Sequence, residues 1–213
     1  MNGNTLIDSI YKLYQSSKAK KHLGARIYRG TIPSISAQTE DLFAFYMDAI
    51  ISDKNVCILV DTYITLSNNL SVSARTGKKL QFKPDICIID AKGTVRILCE
   101  LKMDIGYKRD FINYAYERNR LLDFFKGNAA HYISDGTRRT IQFPESLEWY
   151  YIIFSERNSG IATMKQIEQG FQQQPALGKF LVLSKGDHLN STSPNYTVNN
   201  SAFNALEKIL KSI

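Results

Sequence analysis

Apolar residues recur at helical spacing in three stretches of the chain. Leu6, Ile10, Leu13 and Tyr14 predict a helix over about 5–16. Leu42, Phe45, Tyr46 and Ala49 form a second stripe over about 37–51, where Ser36 stands at the N-cap position. Phe111, Tyr114, Leu121, Leu122 and Phe125 form a third over about 111–126, with Asp110 as its cap. A polar helix over about 161–173 and an amphipathic one over about 201–213 follow. Apolar and β-branched runs at 56–66, 147–155 and 179–184 read as strands. The stretches 67–79 and 127–145 read as loops, the second with Asp135-Gly136 as a turn.

The most informative strands are Lys83-Pro84-Asp85-Ile86-Cys87-Ile88-Ile89-Asp90 and Val95-Arg96-Ile97-Leu98-Cys99-Glu100-Leu101-Lys102, joined by a turn at Ala91-Lys92-Gly93. Side chains alternate faces along a strand, so Glu100 and Lys102 share a face and Leu101 takes the other. Asp85 opens the partner strand. An Asp, a Glu and a Lys held this way can bind a divalent cation and position a water beside it. A surface hairpin with Glu and Lys salt-bridged in solvent is the bland alternative.

The Pro-Asp and Glu-x-Lys pair, set in a hairpin after one helix and before another, resembles the PD-(D/E)xK nuclease superfamily. The resemblance covers about 37–155 and comes closest in size and plan to a small type II restriction endonuclease. It implies an α/β fold with a restriction-endonuclease-like core (α-β-β-β-α-β), a mixed central sheet flanked by helices. Residues 1–213 would form one such domain, with helical additions at both ends. It also implies a metal-dependent endonuclease acting on DNA phosphodiesters. Asp85, Glu100 and the backbone carbonyl of Leu101 would hold Mg²⁺ or Mn²⁺, hard cations that select oxygen ligands. Such a cation polarises a phosphoryl oxygen and acidifies a bound water. Lys102 would orient that water or offset charge on the phosphorane. Glu40 is a fourth catalytic candidate, because many family members carry a Glu on the helix before the first strand. It can also be read as an acid complementing the helix dipole. Asp61 reads as an auxiliary acid or a turn charge.

The charge balance agrees with an anionic partner. Lys and Arg number 27 against 20 Asp and Glu, a formal net charge of +7. Arg75, Lys78 and Lys79 precede the hairpin, Lys108 and Arg109 follow it, and Arg138 and Arg139 lie in the later loop. They are candidate nucleic-acid contacts, to phosphates first, or else simply solvated charges. Double-stranded DNA is the expected partner, and cutting both strands favours a homodimer. Cys57, Cys87 and Cys99 show no metal-ligand spacing and read as small buried hydrophobes of a reducing compartment. No apolar run approaches the roughly 20 residues of a membrane span, so a cytoplasmic protein without membrane contact is expected. Two other readings remain open: a non-catalytic nucleic-acid-binding or assembly protein on the same fold, and a nuclease acting on RNA or branched DNA.

Overall fold

A computed structural model describes residues 1–19, 22–24, 27–28, 35–53, 55–67, 80–105, 110–156, 161–187 and 195–213. The chain opens with α1 (Gly3–Ala19), whose first turn is capped by Asn2 Oδ1 accepting from the Thr5 N–H at 2.9 Å. Two short strands, β1 (His22–Gly24) and β2 (Ile27–Tyr28), form a ribbon of their own. Then come α2 (Ser36–Ile50), β3 (Cys57–Val60), β4 (Ile64–Leu66), β5 (Gln81–Phe82), β6 (Ile86–Ile89) and β7 (Val95–Lys102). They are followed by α3 (Phe111–Asp123), β8 (Ala129–Ser134), β9 (Thr137–Gln142), β10 (Trp149–Ile153) and α4 (Ile161–Gln173). A 3₁₀ turn at Pro175–Leu177 leads to β11 (Lys179–Val182), β12 (Ser184–Gly186), β13 (Tyr196–Val198) and α5 (Asn200–Leu210). Among the described residues, no helix is long and apolar enough to cross a membrane.

The mixed α/β class expected from the sequence is what the structure shows. The main sheet has five strands in the order β11-β10-β7-β6-β3. β6 runs antiparallel to both β3 and β7, while β7, β10 and β11 are mutually parallel. β7 lies in the middle, so nearly all of its residues are buried. One face of this sheet (Ile86, Ile88, Ile97, Cys99, Leu101) packs on α1, α2 and α5. The other face (Cys87, Ile89, Leu98, Tyr151, Ile153) packs on α3, α4 and a second sheet ordered β5-β4-β8-β9.

The second sheet departs from the sequence reading. The single strand expected over 56–66 divides into β3 and β4, which belong to different sheets. The chain bends at Asp61, whose φ of 48° is a left-handed conformation that Asp tolerates better than most residues. Its neighbour bends in the same place: β5 and β6 are separated by Lys83-Pro84-Asp85, and Pro84 has no N–H to give a ladder. The stretch 127–145 is a hairpin, β8–β9, rather than a loop. Asp135 and Gly136, with φ of 50° and 74°, make the two-residue turn between paired Ser134 and Thr137. Ser36 is the first residue of α2, and Ile35 occupies the N-cap without a side-chain bond. Asp110 does cap α3, accepting from the Asn113 N–H at 3.2 Å. Cys87 and Cys99 are buried as expected. Cys57 is exposed, because β3 is the edge strand of the main sheet.

Aromatic side chains tie the second sheet to the main one. Phe82 of β5 meets Phe125 edge-on at 4.6 Å and Trp149 of β10 at 5.7 Å. Phe82→Ala should therefore destabilise the protein by about 3–5 kcal/mol in urea unfolding. A loss below about 1 kcal/mol would show that these rings do not hold the two sheets together.

Candidate active site

The β6–β7 hairpin sets the site. Asp90 closes its turn, its Oδ1 accepting from the Lys92 and Thr94 N–H groups at 2.9 Å each, and Gly93 takes a φ of 79° that favours glycine. The ladder pairs Ile86 with Cys99 and Cys87 with Leu98. Carried one residue further, this register sets Asp85 opposite Glu100, on the face that Cys87 and Leu98 present to α3. Carried two residues further, it brings Pro84 opposite Leu101. Pro84 cannot donate to the Leu101 carbonyl, so that oxygen lacks the ladder donor another residue would supply.

Asp85 is fixed by its Oδ2, which accepts from the Leu101 N–H at 2.5 Å. Glu100 is only 2% exposed. Its Oε1 accepts from the Lys102 ammonium and from the Tyr114 hydroxyl. Its Oε2 lies 3.3 Å from Nη2 of Arg118, yet it is buried and makes no hydrogen bond. Arg118 in turn donates from Nε to the Tyr114 oxygen at 3.0 Å. The Tyr114 ring lies beneath both cations, 5.7 Å from Lys102 Nζ and 5.2 Å from the Arg118 guanidinium carbon.

These contacts drive the two carboxyls apart in acidity. Burial raises the Asp85 pKa above 3.8, and the charge of Glu100 adds to the rise, which Leu101, Lys102 and Arg118 only partly offset. Burial also works against ionisation of Glu100, but Lys102, Arg118 and the Tyr114 bond outweigh it and hold that carboxyl below 4.5. The Tyr114 hydroxyl is itself pushed up by burial and by Glu100.

A cavity of about 270 Å³ opens beside these residues, walled by Glu40, Asp85, Leu101, Lys102, Thr39 and Ser36, among others. Glu40 lies in the second turn of α2 rather than at its start. Burial raises its pKa, and so do the charges of Asp85 and Asp61, with Lys83 opposing them. The fold thus brings Glu40 to Asp85, while Glu100 turns toward α3 and does not wall the cavity. Asp61 holds the turn charge, pairing with Lys83 at 2.6 Å.

Among the described residues, no three His, Cys, Asp or Glu side chains gather as a ready ligand cluster. The set nevertheless fits a hard cation. Asp85 and Glu100 are paired across the hairpin register, Asp85 walls the cavity, Glu100 Oε2 is buried without a hydrogen bond, and Thr39 Oγ1 is equally orphaned in the cavity wall.

The basic candidates divide. Arg138 and Arg139 are exposed on β9, the edge strand of the second sheet, and Arg138 Nη2 lies 3.1 Å from His131 Nδ1. Neither walls the cavity. Arg75, Lys78, Lys79, Lys108 and Arg109 lie outside the described residues. The sequence pattern places Tyr114 only in the apolar stripe of α3 and does not mark Arg118 as a site residue. The signal was an Arg one turn beyond a Tyr, next to a buried stripe, which needs an acid opposite.

No family model matches the chain, and no curated protein shows significant similarity to it.

The opposite acidities give opposite mutational signs. With its pKa raised, ionised Asp85 costs stability at neutral pH, and the cost fades as pH falls through that pKa. Asp85→Asn should therefore raise stability by roughly 1 kcal/mol near pH 7, with the gain shrinking toward pH 4. Glu100 carries stability that is present above its unfolded pKa and lost as pH falls through its depressed folded value. Glu100→Gln should lower stability by about 3 kcal/mol near pH 7, leaving Lys102 and Arg118 without their counter-ion. Chemical unfolding at several pH values checks both, and a shared sign would contradict the charge assignment.

Proposed function

We propose that the chain is a metal-dependent nuclease of the PD-(D/E)xK kind, cutting phosphodiester bonds in DNA. One observation carries this reading: Asp85 and Glu100 sit opposite one another at a strand end, with Lys102 beside them, although burial and like charge oppose the arrangement. Costly placement of this kind is common at functional sites. The order of α2, β3, β6, β7, α3 and β10 supports it, being that of a restriction-endonuclease-like core once β4, β5, β8 and β9 are read as insertions.

Asp85 and Glu100 would hold Mg²⁺ or Mn²⁺, with the Leu101 carbonyl completing the protein's share. When bound, the cation would polarise a phosphoryl oxygen and acidify water. The chain's own groups do the rest. Lys102, on the cavity wall, would offset charge gathering on a phosphorane or orient an attacking water. Glu40, on the same wall, would accept a hydrogen bond from that water. Arg138 and Arg139 would grip phosphates away from the chemistry, fixing register without adding to the rate. Cutting both strands of a duplex would take two such sites, and so two chains.

A second reading has its own support. Both oxygens of Glu100 already face cations, an arrangement stable without any metal. On that reading the chain binds nucleic acid without cutting it.

Cleavage of supercoiled plasmid, linear duplex, single strands and RNA, each with Mg²⁺, Mn²⁺ or EDTA, separates the two. The nuclease reading expects metal-dependent cleavage that Asp85→Ala and Lys102→Ala abolish. It also expects Lys102→Ala to change the salt dependence of binding by no more than about one phosphate contact. Lys102→Arg should not restore cutting, because a guanidinium differs in shape and does not give up its proton. Removing Arg138 and Arg139 together should flatten the salt slope by about two contacts. Tight binding without cleavage of any substrate would overturn the nuclease reading in favour of the second.

A further inference from the structure

Glu100, Lys102, Tyr114 and Arg118 do more than surround a metal site. Asp85 and Glu100 carry two negative charges, and Lys102 and Arg118 carry two positive ones. A divalent cation arriving at the two acids would meet a pair already neutralised, with Arg118 against Glu100 Oε2, an oxygen the cation would need. Arg118 is well suited to letting go. Its contact to Oε2 is an ion pair at 3.3 Å without a hydrogen bond. Its Nε–H is held separately by the Tyr114 oxygen at 3.0 Å. The guanidinium also has aromatic faces to rest on, with Tyr114 at 5.2 Å and Trp149 at 5.9 Å from its central carbon. Released from Glu100, it presents a planar fork that matches a phosphate.

We propose that Arg118, held by Tyr114, is a counter-ion latch: it occupies Glu100 when no cation is bound, competes with the cation for that carboxylate, and turns to a nucleic-acid phosphate when displaced. The latch rests on the metal-site reading above and adds a positioning residue from α3. It makes cation binding and phosphate binding mutually favourable, because each removes the cost of the other. A merely structural Arg118 predicts the opposite sign, since losing a residue that only orients Glu100 would weaken cation binding.

The test is calorimetric titration of Mn²⁺ into the free protein, with no nucleic acid and no reading of activity. Arg118→Gln should bind Mn²⁺ about tenfold more tightly than wild type, because one competing cation has gone. Arg118→Lys should stay near the wild-type value, because the charge is restored. Arg118→Met removes the same charge, so it should move affinity in the same direction as Arg118→Gln, and it serves as the working variant if Arg118→Gln melts early. With Ca²⁺ in place of EDTA, wild type should gain affinity for a short duplex, and Arg118→Gln should gain less.

Unchanged or weaker Mn²⁺ affinity in Arg118→Gln and Arg118→Met overturns the latch. If Asp85→Asn still abolishes binding in that case, the metal site survives. Tighter binding in these variants alongside inert wild type in every cleavage assay upholds the latch and removes the nuclease reading. Absence of Mn²⁺ binding in all variants overturns both.

Discussion

The site depends on one constraint: the register of the β6–β7 hairpin sets two carboxylates against each other at the end of a mostly buried sheet. Like charges in such a place repel, and each is deprived of water. The surroundings answer both costs. Lys102 reaches Glu100 from the same strand face, and Arg118 and Tyr114 reach it from α3. Asp85 is left with the Leu101 N–H and a raised pKa. The two acids are thus chemically unlike although their side chains differ by one methylene. One is held ionised by cations beside it, and the other is buried with its pKa raised.

The placement of the bend has the same origin. Two neighbouring strands leave the main sheet together, at Asp61 and at Lys83-Pro84-Asp85, and continue into the second sheet. Where they leave, side chains take over from the ladder: Asp85 Oδ2 accepts from the Leu101 N–H, and Asp61 Oδ1 pairs with Lys83. The charges of Asp61 and Asp85 act on Glu40 near that break, with Lys83 as a partial offset. The aromatic packing of Phe82 on Phe125 and Trp149 holds the departing strands in their new direction.

Much of this was legible in the sequence where a local rule decides the outcome. Alternation along Val95–Lys102 assigned Glu100 and Lys102 to one face, and Asp110 marked the start of α3 through its side-chain cap. The limits of α4 follow its polar helical stretch. What was not legible depended on tertiary context. Nothing local distinguishes one strand over 56–66 from two, because the left-handed Asp61 is stabilised by its neighbours across the sheet. The β8–β9 hairpin did leave a trace: Asp135-Gly136 lies between Ala130 and Tyr132 on one side and Ile141 on the other. Its outer strand, rich in Thr and Arg, hid the pattern. Arg118 was invisible for a different reason. A half-buried Arg beside an apolar helical stripe states a need for an acid, but only the docking of α3 on β7 shows that the acid is Glu100.

The central claim is that Asp85 and Glu100 form a site for one divalent cation. Crystals grown with Mn²⁺ and measured near the manganese absorption edge test it directly, since anomalous scattering locates the ion without reference to activity. The account predicts one strong peak between the two carboxylates, with oxygens of both at about 2.1 Å and Arg118 withdrawn from Glu100 Oε2. An empty position there at saturating Mn²⁺, with the Arg118–Glu100 pair intact, would contradict it.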